Sequence, residues 1–252
     1  MCPRRAASPM RLAELERFDA VSVDWFHRLT GAAMLSAVAS EAAARVDLVH
    51  AGVLFPYRHL PGIPLYGVPA LVVEWALTVA VALAMMLGWR LSVVVRVALA
   101  IALVSLSQRY SNHRALLVLV LAFGSLAPPD PRSEGFAERR WPNLALVRLE
   151  LVIVYWASAV NKLSHGFASG ETLTTLFGFS PALARPLALA TIALELAIPI
   201  LTFTSPRVAV AITAAMHLVF AYFLPATWSF GFLMVAMAVL AVRPVALRSG
   251  RA

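Results

Sequence analysis

The sequence predicts an all-α fold: a polytopic membrane helical bundle of about eight spans, plus one re-entrant or interfacial segment. Three observations carry that reading. Of 252 residues, 61% are hydrophobic and 13% charged, and the mean hydropathy is +0.80. The apolar runs reach or approach the roughly 20 residues a helix needs to cross a bilayer. Short arginine-bearing turns separate those runs, which is how positive-inside topology is written in a sequence.

Residues 1–20 form a polar, cytoplasmic N-terminal segment, with Arg4 and Arg5 but no apolar stretch before Arg11, Glu14, Glu16 and Arg17, so no cleavable signal peptide is expected. A membrane domain over 21–244 and a cytoplasmic tail over 245–252 complete the organisation. The first span is expected at Val23–Ala39, weakened by Asp24, His27 and Arg28. A loop follows through Arg45, Asp47 and His50, into GVLFPYRHLPGIPLYG, whose Gly and Pro residues break any helix. Spans two and three are expected at Val68–Gly88 and Leu91–Leu106, joined by Trp89–Arg90.

The polar run QRYSNHR at Gln108–Arg114 precedes a short fourth span at Ala115–Leu126, and Pro128–Arg140 is the longest polar loop. The stretch Trp141–Gly170 then supplies a long apolar helix carrying Arg148, Glu150, Tyr155, Asn161 and Lys162. The following SHGFASGETLTTLFGFSP holds too many Gly and Ser residues for a lipid-facing helix, and is the expected re-entrant or interfacial element. Spans six to eight are expected at Leu183–Phe203, Val208–Phe223 and Trp228–Val242.

With the N-terminus inside, Arg90, Arg132, Arg139, Arg140, Arg207, Arg243, Arg248 and Arg251 also fall inside. Both termini are then cytoplasmic, and Gln108–Arg114, Asn161–Lys162 and His217 converge on the outer half. The +8 formal charge does not indicate nucleic acid, because the basic residues sit at span ends without a basic stripe and interleaved aromatics. The single cysteine, Cys2, excludes an intramolecular disulfide or a cysteine-rich metal site. The six histidines show no helical ligand spacing, so no metal is expected. No Walker, GxGxxG or GxSxG motif is present.

Ionisable residues inside spans mark functional sites by default, because even lenient insertion scales charge a few kcal/mol for them. Lys162 has two readings. Burial disfavours the ammonium and yields a competent neutral base, while a lysine near a helix end can also snorkel to the interface. His113 and His217 can hydrogen-bond a neutral ligand or transfer a proton, or can serve helix packing. Glu74, Glu150 and Glu195 read as ion-pair partners for Arg96, Arg148 or Arg109. Tyr155 lies seven residues before Lys162, on the same helix face.

Several segments match one family. NHRALLVLVLAF, VRLELVIVYWASAVNKL with Gly170, VALAMMLGWRLS, and MHLVF followed by WSFGFLMV resemble the membrane domain of vitamin K-dependent γ-glutamyl carboxylase and related bacterial horizontally transferred transmembrane proteins. The most specific parts are Asn112–His113 and the pattern Y-x-x-x-x-V-x-K-L at Tyr155–Leu163.

The resemblance implies that Lys162 is the base that deprotonates a reduced quinone and that His113 stabilises oxygenated intermediates. Asn112, His217, Tyr155, Asn161 and Trp228 are then expected around the substrate. O2 and a small-molecule or lipid quinol are the implied substrates, in contact with membrane lipids and with no bound cofactor. The carboxylase's large soluble substrate-binding region is expected to have no counterpart here. The expected activity is therefore hydroquinone epoxidation, with two alternatives: a quinol-driven carboxylase of a small or separate substrate, and a non-catalytic binding or transport protein.

Overall fold

A computed structural model describes residues 20–50, 67–89, 91–108, 111–126, 144–224 and 227–242. Residues 1–19 of the expected N-terminal segment, the expected Gly- and Pro-rich loop over 51–66, the loop at 128–140 and the tail at 245–252 lie outside the described residues. Every described element is helical: α1 (Ala20–His50), α2 (Val68–Leu87), α3 (Leu91–Gln108), α4 (Asn112–Ser125), α5 (Leu144–Ser164), a 3-10 turn (Phe167–Ser169), α6 (Glu171–Phe177), α7 (Pro181–Thr204), α8 (Pro206–Phe223) and α9 (Trp228–Leu240).

Five of these, α2, α3, α5, α7 and α8, are long and apolar enough to cross a membrane. The expectation of about eight spans exceeds that number for physical reasons. The α4 and α9 helices have 14 and 13 residues, about 20 Å at 1.5 Å per residue, against a hydrocarbon core of about 30 Å. The α1 helix is long enough, with 31 residues, but carries Asp24, Arg28, Glu41, Arg45 and Asp47.

Helix ends follow local chemistry. Gly88 closes α2 in the left-handed conformation at φ 70°, its amide returning to Ala84 and Met85 carbonyls. Ser111 starts α4 by accepting the Arg114 amide on its hydroxyl, so the helix begins at Asn112, earlier than the expected Ala115. The main correction concerns α1, which continues past Ala39 to His50 where a loop was expected. Its Ala-rich extension favours helix. Arg45, in that extension, reaches α2 and meets Glu74 through two hydrogen bonds of 2.9 and 3.3 Å.

The first and last helices pack together, and α9 is the centre of the bundle, touching α1, α4, α5 and α8. This explains how a helix of 13 residues that is apolar on every side is accommodated: it is walled by other helices rather than by solvent. Leu233, Met234 and Met237 from α9 join Phe26, Leu144, Leu151 and Ile198 in the main core. A second cluster, with Met34, Met85, Val95 and Leu121, ties α1 to α2, α3 and α4. Gly31 permits close α1–α2 contact, since a Cβ there would stand 2.6 Å from the Ala82 carbonyl oxygen.

The outward surface is apolar: Val73, Leu77, Val104, Ile153, Val160 and Ile200 are all exposed. Several buried polar groups are paired across helices. Arg114 bonds the Ser105 carbonyl and hydroxyl at 3.1 and 2.7 Å and pairs with Glu41. Arg148 donates to the Leu240 carbonyl at 3.0 Å. An apolar exterior around cross-helix pairs of this kind is the arrangement that hydrocarbon solvent favours.

Candidate active site

One end of the bundle encloses a cavity of about 310 Å³, walled by α4, α5, α7, α8 and α9 and covered by the 3-10 turn and α6. Apolar side chains dominate it, among them Phe167, Phe177, Phe220 and Phe230. Two groups of polar atoms interrupt that wall.

The first is built on α5 and α7. Ser158 and Lys162 are one helical turn apart, so they share a face. Lys162 Nζ donates to Ser158 Oγ and to Glu195 Oε1, each at 2.6 Å, and Ser158 Oγ donates to the same Oε1 at 3.1 Å. Glu195 is 3% exposed, and its Oε2 has no hydrogen-bond partner among the described residues. Pro199 lies four residues beyond Glu195 and lacks the amide that would bond the Glu195 carbonyl, so α7 misses one backbone hydrogen bond at this turn. Lys162 also stands 5.7 Å from the Phe167 ring centroid.

The second group joins α5 to α8. Tyr155 OH and His217 Nε2 are 3.0 Å apart, with both residues buried. Phe230 of α9 lies between the two histidines: His113 stacks on it at 5.0 Å, and His217 meets its edge at 5.4 Å. Gly231 makes room for His217, because a Cβ there would lie 3.1 Å from the His217 Cβ. The cover depends on Gly170, which has φ +83° and would place a Cβ 2.6 Å from the Arg185 amide nitrogen.

Four of the seven residues expected from the sequence therefore line one cavity: Lys162, His113, His217 and Tyr155. Three do not. Asn112 lines a separate groove between α4 and α5. Asn161 is exposed, its carbonyl accepting the His165 amide at 3.0 Å. Trp228 stacks on Phe232 at 5.7 Å and is not among the residues lining the cavity. The reason is rotational: on an α-helix a residue adjacent to a cavity-facing one points about 100° away.

Lys162 turns inward to Glu195 and Ser158 instead of snorkelling past the helix end. The expected glutamate partners also change. Glu74 pairs with Arg45, Glu195 pairs with Lys162, and Glu150 has neither oxygen bonded among the described residues. Ser158 and Phe230 were not singled out from the sequence, although Ser158 stands one turn before Lys162 and Phe230 sits inside the WSFGF segment.

No protein-family model, curated protein or solved structure matches this chain. Among the described residues no cluster of three or more His, Cys, Asp and Glu side chains is placed to hold a metal ion. The lining suits a flat apolar ring bearing polar substituents, with aromatic faces to stack on it and hydrogen-bonding groups at separate places on the wall.

Proposed function

We propose that this chain is a multi-pass membrane enzyme that oxygenates a hydroquinone to an epoxyquinone with O2, using Lys162 as its base. The observation that carries the reading is the Lys162–Glu195–Ser158 group set into an aromatic-walled cavity on apolar helices. The motif resemblance to the carboxylase membrane domain supports the same chemistry. The α1, α4 and α9 helices complete an eight-span bundle with both termini cytoplasmic and the cavity in the outer half.

Each group has a part. Passing a proton from Lys162 Nζ to Glu195 Oε1 leaves an amine that accepts the phenolic hydrogen, a relay within one hydrogen bond. The hydroquinone monoanion then combines with O2, giving the epoxyquinone and hydroxide. Returning the captured proton converts that hydroxide to water, so hydroquinone plus O2 becomes epoxyquinone plus water. The substrate is its own reductant, and no further electron donor enters. The Tyr155–His217 pair and His113, held against Phe230, hydrogen-bond the ring oxygens and the oxygenated intermediate.

The test is product analysis by mass spectrometry after mixing the detergent-purified protein with a panel of quinols and O2, with and without bicarbonate. A gain of one oxygen that requires Lys162 and ignores bicarbonate is expected. No oxygen transfer to any quinol would reject the reading.

A further inference from the structure

A second void lies beside the cavity, in the groove between α4 and α5. It measures about 420 Å³ and is bounded by Leu116, Leu119, Phe123, Ile153 and Val154. Its acidic residue is Glu150, whose two carboxyl oxygens are enclosed and have no hydrogen-bond partner among the described residues. The buried Glu74 and Glu195 each meet a cation, so Glu150 stands apart. A carboxylate without a partner is very costly away from water, and a neutral acid in the same place would still lack the partners that its hydroxyl and carbonyl require. Inside a membrane bundle such a group marks a functional site.

The groove and the cavity share a wall. Val154 lines both, and the consecutive residues Asn112 and His113 line the groove and the cavity respectively. Helical periodicity gives the same picture along α5. Tyr155, Ser158 and Lys162 form the cavity face, Glu150 and Ile153 form the groove face, and Val154 stands at the border.

We infer that the α4–α5 groove is a binding site for the quinol on its way from the bilayer to Lys162, with the Glu150 acid hydrogen-bonding a ring oxygen of the ligand. The inference rests on the function proposed above. It supplies what each feature lacks: an apolar ring for the groove, an oxygen partner for Glu150, and a path across Val154 to the catalytic wall. Because the acid both donates and accepts, it serves the carbonyl of a quinone as well as the hydroxyl of a quinol.

The probe is N,N′-dicyclohexylcarbodiimide, an apolar reagent. A neutral carboxylic acid adds across its C=N bond, and acyl migration then gives a stable N-acylurea with no leaving group. Peptide mass spectrometry of the anaerobic protein in lipid vesicles should locate this adduct on Glu150, and Glu150→Gln should lack it. Prior addition of 2,3-dimethyl-1,4-naphthoquinone should slow the modification at least fivefold. Ala115→Trp, which fills the groove, should slow it similarly in protein that retains the wild-type helical circular dichroism.

An unmodified Glu150, or a rate indifferent to the quinone, overturns the inference. The readout uses neither O2 nor turnover, so the two proposals separate. Loss of protection in a protein that still oxygenates quinols removes the groove site alone, whereas protection in a protein without turnover upholds the site and removes the reaction.

Discussion

Lys162 Nζ lies 2.6 Å from Glu195 Oε1, joining the last turn of α5 to the middle of α7. The two side chains are 21% and 4% exposed, so the pair is mostly desolvated. Removing one partner strands the other. Glu195→Leu is expected to cost about 2–4 kcal/mol, below the figure for a fully buried pair because Lys162 retains some solvent. The double variant Lys162→Met/Glu195→Leu should recover most of that loss, since apolar isosteres of a buried pair are near neutral. Thermal unfolding in detergent measures both. Quinol oxygenation should be absent in both variants, which separates the pair's chemistry from its contribution to stability.

Tyr155→Phe removes the hydroxyl that meets His217 at 3.0 Å and keeps the ring in the core. About 1 kcal/mol of stability should be lost, the usual net worth of a hydrogen bond. Oxygenation should fall at least tenfold because His217 is then held by ring contacts alone. Steady-state turnover beside a melting curve checks the pair of outcomes, and unchanged turnover would place the hydrogen bond outside the reaction.

Gly170 and Gly166 make a controlled comparison in the cover of the cavity. Both have positive φ, +83° and +76°, but a Cβ at Gly170 meets the α7 backbone while one at Gly166 meets nothing within 4 Å. Gly166→Ala should cost only the left-handed backbone penalty, about 1–2 kcal/mol. Gly170→Ala should cost more, displace α6 from α7, and raise KM for the quinol. Comparing melting temperature and KM for the two variants decides it.

Arg45 and Glu74 are 3% and 8% exposed and lie well away from the cavity lining. Arg45→Met should destabilise the bundle by about 3–5 kcal/mol, and Arg45→Met/Glu74→Leu should restore most of it. The restored double variant should oxygenate quinols at the wild-type rate. Melting curves and turnover on the same preparations report both halves.

Composition and arginine placement made the all-helical bundle and most helix positions legible. Length and hydropathy together support five spans, because α4 and α9 are short and α1 carries charge, and the eight-span reading remains a proposal. The extent of α1 was hidden because its polar continuation is stabilised by Arg45 reaching Glu74, 29 residues away in sequence. At the site, helical spacing placed Tyr155 and Lys162 together, and the motifs added His113 and His217. Adjacent residues misled: Asn112 and Asn161 sit beside cavity residues in sequence but about 100° away around the helix. Glu195 was visible as a charge in an apolar run, yet only the packing of α7 on α5 shows that its partner is a lysine.

The most direct measurement is O2 consumption with product mass on a panel of quinols, comparing wild type with Lys162→Ala at equal folded concentration. The expected result is an epoxyquinone, one oxygen heavier than the quinone, formed by wild type without bicarbonate and reduced at least a hundredfold by the substitution. Oxygenation that persists in Lys162→Ala, or none in the wild type on any quinol, would contradict the assignment of this cavity as a lysine-based quinol oxygenase.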